Sequence, residues 1–196
     1  MDWRIERAIY HFSLHHHWFG TLFADIEKAS IPFMVIVTVG LWLLARPGGD
    51  AKWKLAATAG LGSAALALGV NKVISGALWH RDRPYQTHHY VDPWANKTDA
   101  SFPSDHASAS FAIAFAVLLF DPLAGALFLL AATVIAIGRL FIGAHYPSDV
   151  GAGFLVGLAS ALVAARLLRP LVRPLVRAVE RLTDPVLAPL WRIGAR

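Results

Sequence analysis

Five long apolar stretches dominate this sequence, near residues 30–45, 55–78, 105–120, 123–142 and 147–168. A helix that crosses a bilayer needs about 20 predominantly apolar residues, with about 17 as the lower limit. The first and third stretches lie close to that limit. A backbone in lipid must satisfy its own hydrogen bonds, so each stretch is expected to be an α-helix. Only 16% of the residues are charged, where a soluble domain carries about a quarter. Small residues (Gly60, Gly62, Ala64, Ala65, Gly151, Gly153, Gly157) suit close helix packing. With no cysteine there is neither a disulfide framework nor a thiolate metal site.

The flanks differ from this core. Residues 1–28 have no basic n-region, because Asp2 and Glu6 interrupt it, and no cleavage pattern of a signal peptide. Ile5, Ile9, Phe12, Phe19, Phe23 and Ile26 instead recur at helical spacing, which predicts an amphipathic helix. It lies at the interface or packs on the bundle, and packing is the preferred reading. The expected architecture is an all-α polytopic membrane bundle: an amphipathic helix over 1–28, a membrane core over 29–168 and a basic amphipathic tail over 169–196.

Charge sets the orientation. Seven arginines between Arg166 and Arg196, against Glu180 and Asp184, carry the whole net charge of +5. Interleaved with Leu and Val, that tail suits anionic lipid and not nucleic acid. Arg46, Lys52 and Lys54 lie between the first two spans, on the same side as the tail if spans alternate. The positive-inside rule places that side in the cytoplasm. The 79–104 loop and the 143–147 turn then share the extracytoplasmic face.

Three polar clusters fall on that face: His80-Arg81-Asp82-Arg83-Pro84, Phe102-Pro103-Ser104-Asp105-His106, and Arg139 through His145 to Asp149. Ionisable groups at membrane depth are costly and mark functional sites. Guanidinium groups bind phosphate oxygens bidentately. Ser104 opens an apolar helix whose first backbone N–H groups suit an anion. Two histidines can divide the roles of nucleophile and acid. Asp149, four residues after His145, can hold that imidazole's other nitrogen.

Arg-Pro, then Pro-Ser-x-His, then Arg139 with His145 six and Asp149 ten positions later resembles the type-2 phosphatidic acid phosphatase superfamily, over residues 71–158. The resemblance implies an antiparallel bundle, usually of six membrane helices. His145 would form a phosphohistidine and Asp149 would orient it. His106 would protonate the leaving oxygen and then help activate water. Arg83, Arg139 and Ser104 would bind the phosphoryl oxygens, so neither metal nor cofactor is expected.

Two positions depart from the pattern. The lysine usual seven residues before the Arg of Arg-Pro is Gly76 here, and Lys72 lies about 16 Å from Arg83 along a helix axis. Arg81 is the expected replacement cation. Asp105 stands where the family more often has Gly, and is counted with the phosphate-contacting residues. These features, with Asn71-x2-Ile74-Ser75, resemble the branch that hydrolyses undecaprenyl diphosphate. The substrate expected is therefore a polyprenyl diphosphate at a bacterial inner membrane, with phosphatidate, phosphatidylglycerophosphate or a lipid A phosphate as the alternative.

The His15-His16-His17 run has no acidic or thiol partner at ligand spacing and reads as surface. His80, His88 and His89 read as hydrated loop, and Trp3, Trp18, Trp79, Trp94 and Trp191 as interfacial anchors. A vanadium haloperoxidase would share the anion-binding residues but is soluble. A lipid-binding protein would need the arginines without His106, His145 and Asp149.

Overall fold

The computed structural model describes residues 1–45, 51–88, 94, 97–166 and 169–193. Arg46, His89 and Arg196 lie outside the described residues, as do the side chains of Arg169, Trp191 and Arg192. The described residues form α1 (Asp2–His15), α2 (His17–Leu44), α3 (Lys52–Val73, running into a π turn at Ile74–Leu78), α4 (Pro84–His88), α5 (Asp105–Leu118), α6 (Pro122–Phe141), α7 (Pro147–Arg166) and α8 (Arg169–Ile193). No strand occurs among them. Local chemistry sets several boundaries. Asp121 caps α6 by accepting from Ala124 N at 3.0 Å, with Pro122 in the first turn. Pro147 starts α7 in the same way.

Among the described residues, four helices are long and apolar enough to cross a membrane: α2, α3 with its π turn, α6 and α7. The third expected span, α5, is different. Its 14 residues reach only about 21 Å, against a hydrocarbon core of about 30 Å. It has no need of more, because α3, α6 and α7 pack around it and ten of its residues are buried. An all-round apolar helix is a buried one. Gly153 and Gly157 permit that packing: a Cβ on Gly157 would stand 2.8 Å from Phe111 Cβ and 2.9 Å from Ser108 O. Gly151, in the same sequence stripe, has open space beside it. Large apolar side chains such as Ile36, Leu44, Leu123 and Leu155 point outward, as expected of lipid-facing helices.

The amphipathic helix expected over 1–28 is two helices. The backbone breaks at His16, and residues 17–28 are the first turns of the long helix α2. Their apolar spacing is continuous with the span behind them, so they join it. α1 packs on the bundle through its polar edge: Glu6, Tyr10 and Ser13 are buried while Ile5 and Phe12 are exposed. The tail helix α8 docks by its acidic residues. Buried Lys54 holds Asp184 at 2.7 Å and Glu180 at 3.1 Å, and Arg173, Arg177 and Arg181 stay exposed.

Candidate active site

The polar face forms where four segments end together. His145 sits in the turn between α6 and α7, and Arg83 leads into α4. Ser101 and Ser104 precede α5, and Arg139 ends α6. Arg83, Arg139, His145 and Asp149 are each at most 3% exposed. His145 Nδ1 lies 2.8 Å from the carbonyl of Ser101. A carbonyl only accepts, so Nδ1 carries the proton and Nε2 presents its lone pair. Arg83 Nη1 donates to Nε2 at 3.1 Å. Burial first, then the Arg139 and Arg83 charges, push the His145 imidazole well below its ordinary value of 6.5. It is held neutral, as a nitrogen nucleophile requires.

Asp149 does not hold the imidazole directly, as its spacing suggested. Its Oδ2 lies 3.7 Å from His145 Nδ1, because that oxygen already accepts from Ser101 Oγ at 2.5 Å and Tyr146 N at 2.9 Å. Ser101 is thus the intermediary. Its hydroxyl binds Asp149 while its carbonyl fixes the tautomer. Arg81 is likewise committed elsewhere than expected. Nη1 meets Asp149 Oδ1 at 2.8 Å, Nη2 meets Asp2 Oδ2 at 2.8 Å, and the guanidinium lies over Tyr146. With both ends paired it buttresses Asp149. Asp105 accepts from Asn71 Nδ2 at 2.8 Å and so joins α5 to α3.

Arg139 and Ser104 are the groups left with binding capacity. None of the three Arg139 nitrogens makes a directional hydrogen bond among the described residues, and neither does the Ser104 hydroxyl. Arg139 Nη1 has one ionic neighbour, Glu27 Oε1 at 2.9 Å. The same oxygen lies 3.0 Å from Lys97 Nζ and 3.8 Å from His106 Nε2. Buried donors are nearly always satisfied, so this pair suits an anion with several acceptor oxygens. Arg83 carries a carboxylate of its own, Asp99, at 2.9 Å. Burial alone would raise the Asp99 carboxyl, but the Arg83 charge and hydrogen bond hold it below the ordinary range.

Glu27, Lys97, Asp99, Ser101 and Asp2 were not foreseen from sequence. Glu27 had a signal, a carboxylate within an apolar helix, which is hidden when residues 1–28 are read as a separate amphipathic helix. Lys97 and Asp99 sit in a loop with no motif spacing. An apolar groove of about 330 Å³ runs between α2 and α6, lined by Ile26, Ala29, Phe33, Val134 and Ile135, with Ile26 and Ile135 within about one helical turn of Glu27 and Arg139 along the chain.

Comparison with known proteins agrees with this architecture. The family described as the PAP2 superfamily matches residues 54–173, more than half of the chain. The chain is 34% identical over 152 residues to "Putative undecaprenyl-diphosphatase YbjG" of Escherichia coli (strain K12), covering 75% of this chain and 72% of that one. To "Undecaprenyl-diphosphatase BcrC" of Bacillus subtilis (strain 168) it is 29% identical over 160 residues, covering 81% and 79%. The fold is similar to that of Aquifex aeolicus LpxE, with a TM-score of 0.61 at 22% identity over 84% of this chain and 94% of that one. A bundle of apolar helices, a matched family over the whole histidine- and arginine-bearing core, and relatives of this length leave one assignment: the chain is a multi-span membrane phosphatase and belongs to the PAP2 superfamily.

Proposed function

We propose that this phosphatase hydrolyses undecaprenyl diphosphate to undecaprenyl phosphate and inorganic phosphate on the extracytoplasmic side of a bacterial inner membrane. The observation that carries the chemistry is the His145 tautomer, with Nδ1–H on the Ser101 carbonyl and the Nε2 lone pair beside Arg83. In the first step Nε2 attacks the terminal phosphorus. A P–N bond forms, the anhydride P–O bond breaks, and polyprenyl phosphate departs, with His106 donating a proton to the leaving oxygen. Water, deprotonated by His106, then attacks the phosphohistidine, which breaks the P–N bond and releases phosphate. Arg139, Arg83 and Ser104 hold the equatorial oxygens, where such a transition state spreads its charge. A phosphoryl oxygen that competes for the Arg83 guanidinium frees the Nε2 lone pair for attack.

The choice of substrate is supported by the names of the two relatives and by the apolar groove between α2 and α6, which starts within about one helical turn of Glu27 and Arg139 along the chain and suits an isoprenoid tail. Lys52, Lys54 and the outward arginines of α8, at the other end of the bundle, support placing the site on the extracytoplasmic side. Those exposed arginines suit anionic lipid.

The test is phosphate release by the purified protein in detergent with EDTA, across undecaprenyl diphosphate, phosphatidate and phosphatidylglycerophosphate. The highest kcat/KM is expected for the diphosphate, with activity abolished by His145→Ala. A higher kcat/KM for either glycerolipid would overturn the substrate, and full activity in the His145 variant would overturn the mechanism.

A further inference from the structure

The diphosphate reading raises a question of charge. The transferred phosphoryl group is served by Arg83, Arg139 and Ser104, but a diphosphate brings a second phosphate. Arg81, the replacement cation expected from sequence, is bound on both sides by Asp149 and Asp2. The cation beside the binding arginine is instead Lys97. Its Nζ and Arg139 Nη1 meet a single oxygen of Glu27, at 3.0 Å and 2.9 Å. The two positive heads therefore stand within two hydrogen-bond lengths of each other, a separation that adjoining phosphates of one diphosphate can bridge.

The placement of Lys97 is built into the fold. The buried Tyr85 hydroxyl accepts from Lys97 N at 2.8 Å and donates to Lys97 O at 2.8 Å. Gln86 Nε2 adds a 3.3 Å contact to the same carbonyl. Tyr85 and Gln86 lie just after Arg83, so one short helix fixes both the phosphate-binding arginine and the backbone of the loop lysine. The Lys97 side chain is 44% exposed and reaches inward to Glu27. An ammonium group at such a position acts as a mobile point charge.

We propose that Lys97 is a specificity-determining residue that binds the second, lipid-linked phosphate of a diphosphate, with Glu27 as the counter-ion that holds it beside Arg139 until substrate arrives. This inference rests on the diphosphate reading above. When the substrate enters, phosphate oxygens replace the Glu27 carboxylate as partners of Lys97. The charge at this point then favours diphosphates over monoesters of the same lipid.

The test compares kcat/KM for a polyprenyl diphosphate and for the monophosphate of the same chain, so that only the second phosphate differs. In Lys97→Met the ratio of diphosphate to monophosphate is expected to fall about tenfold or more, the scale of one charge-assisted contact. Lys97→Arg is expected to restore part of that ratio, and its folding serves as a check on the Met variant. An equal loss on both substrates, or an unchanged ratio, overturns the role of Lys97 while the diphosphate reading stands. If the unsubstituted protein turns over only the monophosphate, the underlying reading and this inference fail together.

Discussion

Two buried cations at opposite ends of the bundle make an instructive pair. Lys54 and Arg139 are each 1% exposed, and both face carboxylates from distant segments. Lys54 is satisfied: Asp184 and Glu180 both accept from its ammonium. Arg139 meets Glu27 but has no directional hydrogen bond from any of its three nitrogens among the described residues. A buried charge with all its partners is a fastening for a helix, here for α8. A buried charge left short of partners is destabilising in itself, and that contrast supports the phosphate-binding role proposed for Arg139. Between these two, burial distinguishes nothing and satisfaction does.

The strongest way to break the comparison is to remove each cation in turn. Arg139→Ala is expected to lower kcat/KM by about 10²- to 10³-fold, the loss seen when one preorganised transition-state donor is removed. Its thermal midpoint in detergent should fall less than that of Lys54→Met, because Glu27 keeps Lys97 as a partner at 3.0 Å. A fall in stability with activity intact would make Arg139 a fastening after all.

Lys54→Met is expected to do the reverse. It strands Glu180 and Asp184 beside each other, and breaking a buried ion pair by deleting one partner costs about 3–5 kcal/mol. Both acids are about one quarter exposed, so water screens them and the expected loss is about 1–3 kcal/mol. Thermal denaturation of the purified protein measures it. Phosphatase activity at low temperature should remain within about threefold of the parent, and a larger drop would tie the tail end to catalysis.

A third expectation uses pH. His145 is held well below 6.5 by burial and by the Arg139 and Arg83 charges, so it stays neutral where an ordinary imidazole takes up a proton. The unfolded chain binds that proton below 6.5 and the folded chain does not. This group therefore lowers stability as pH falls through 6.5 and is silent above it. Its imidazole 15N shifts should be flat from about pH 8 down through 6.5. Titration near 6.5 would show that the cationic surroundings act less strongly than the geometry implies. In Arg139→Ala the titration should move up toward the ordinary value.

Much of this site was legible in the sequence, and the divide has a physical origin. Arg83, Ser104, His106, Arg139 and His145 sit at helix ends where apolar stretches stop, so topology alone brought them to one face. Their spacing carried the family resemblance as well. Pairings between unrelated segments left no such trace. Glu27 reaches Arg139 from another helix, Lys97 is placed by the Tyr85 hydroxyl, and Ser101 stands between Asp149 and His145. The breaks in the fold were partly hidden for a similar reason: periodicity runs smoothly through His16, and only three-dimensional packing turns α1 away from α2.

The smallest expected effect lies at the very start of the chain. Asp2 accepts from Ser148 N at 3.1 Å and from Arg81 Nη2 at 2.8 Å. Burial would raise its carboxyl, but Ser148 and Arg81 hold it below the ordinary value. From Asp2 the contacts continue through Arg81 to Asp149, from Asp149 to Ser101, and from Ser101 to His145. Asp2 thus stands four contacts from His145, the proposed nucleophile, and ties α1 to the start of α7. Asp2→Asn keeps the shape and removes the charge. Because Arg81 stays paired with Asp149, only the outer support is weakened, and exposed ion pairs contribute about 0–1 kcal/mol. A fall in kcat of about two- to fivefold with KM unchanged is expected on that scale. If Arg81 instead loosens Asp149, the loss should approach that of Ser101→Ala, and the two variants combined should be no worse than the more severe one. Fully multiplicative losses would mean that Asp2 acts on the site by some route other than this chain of contacts.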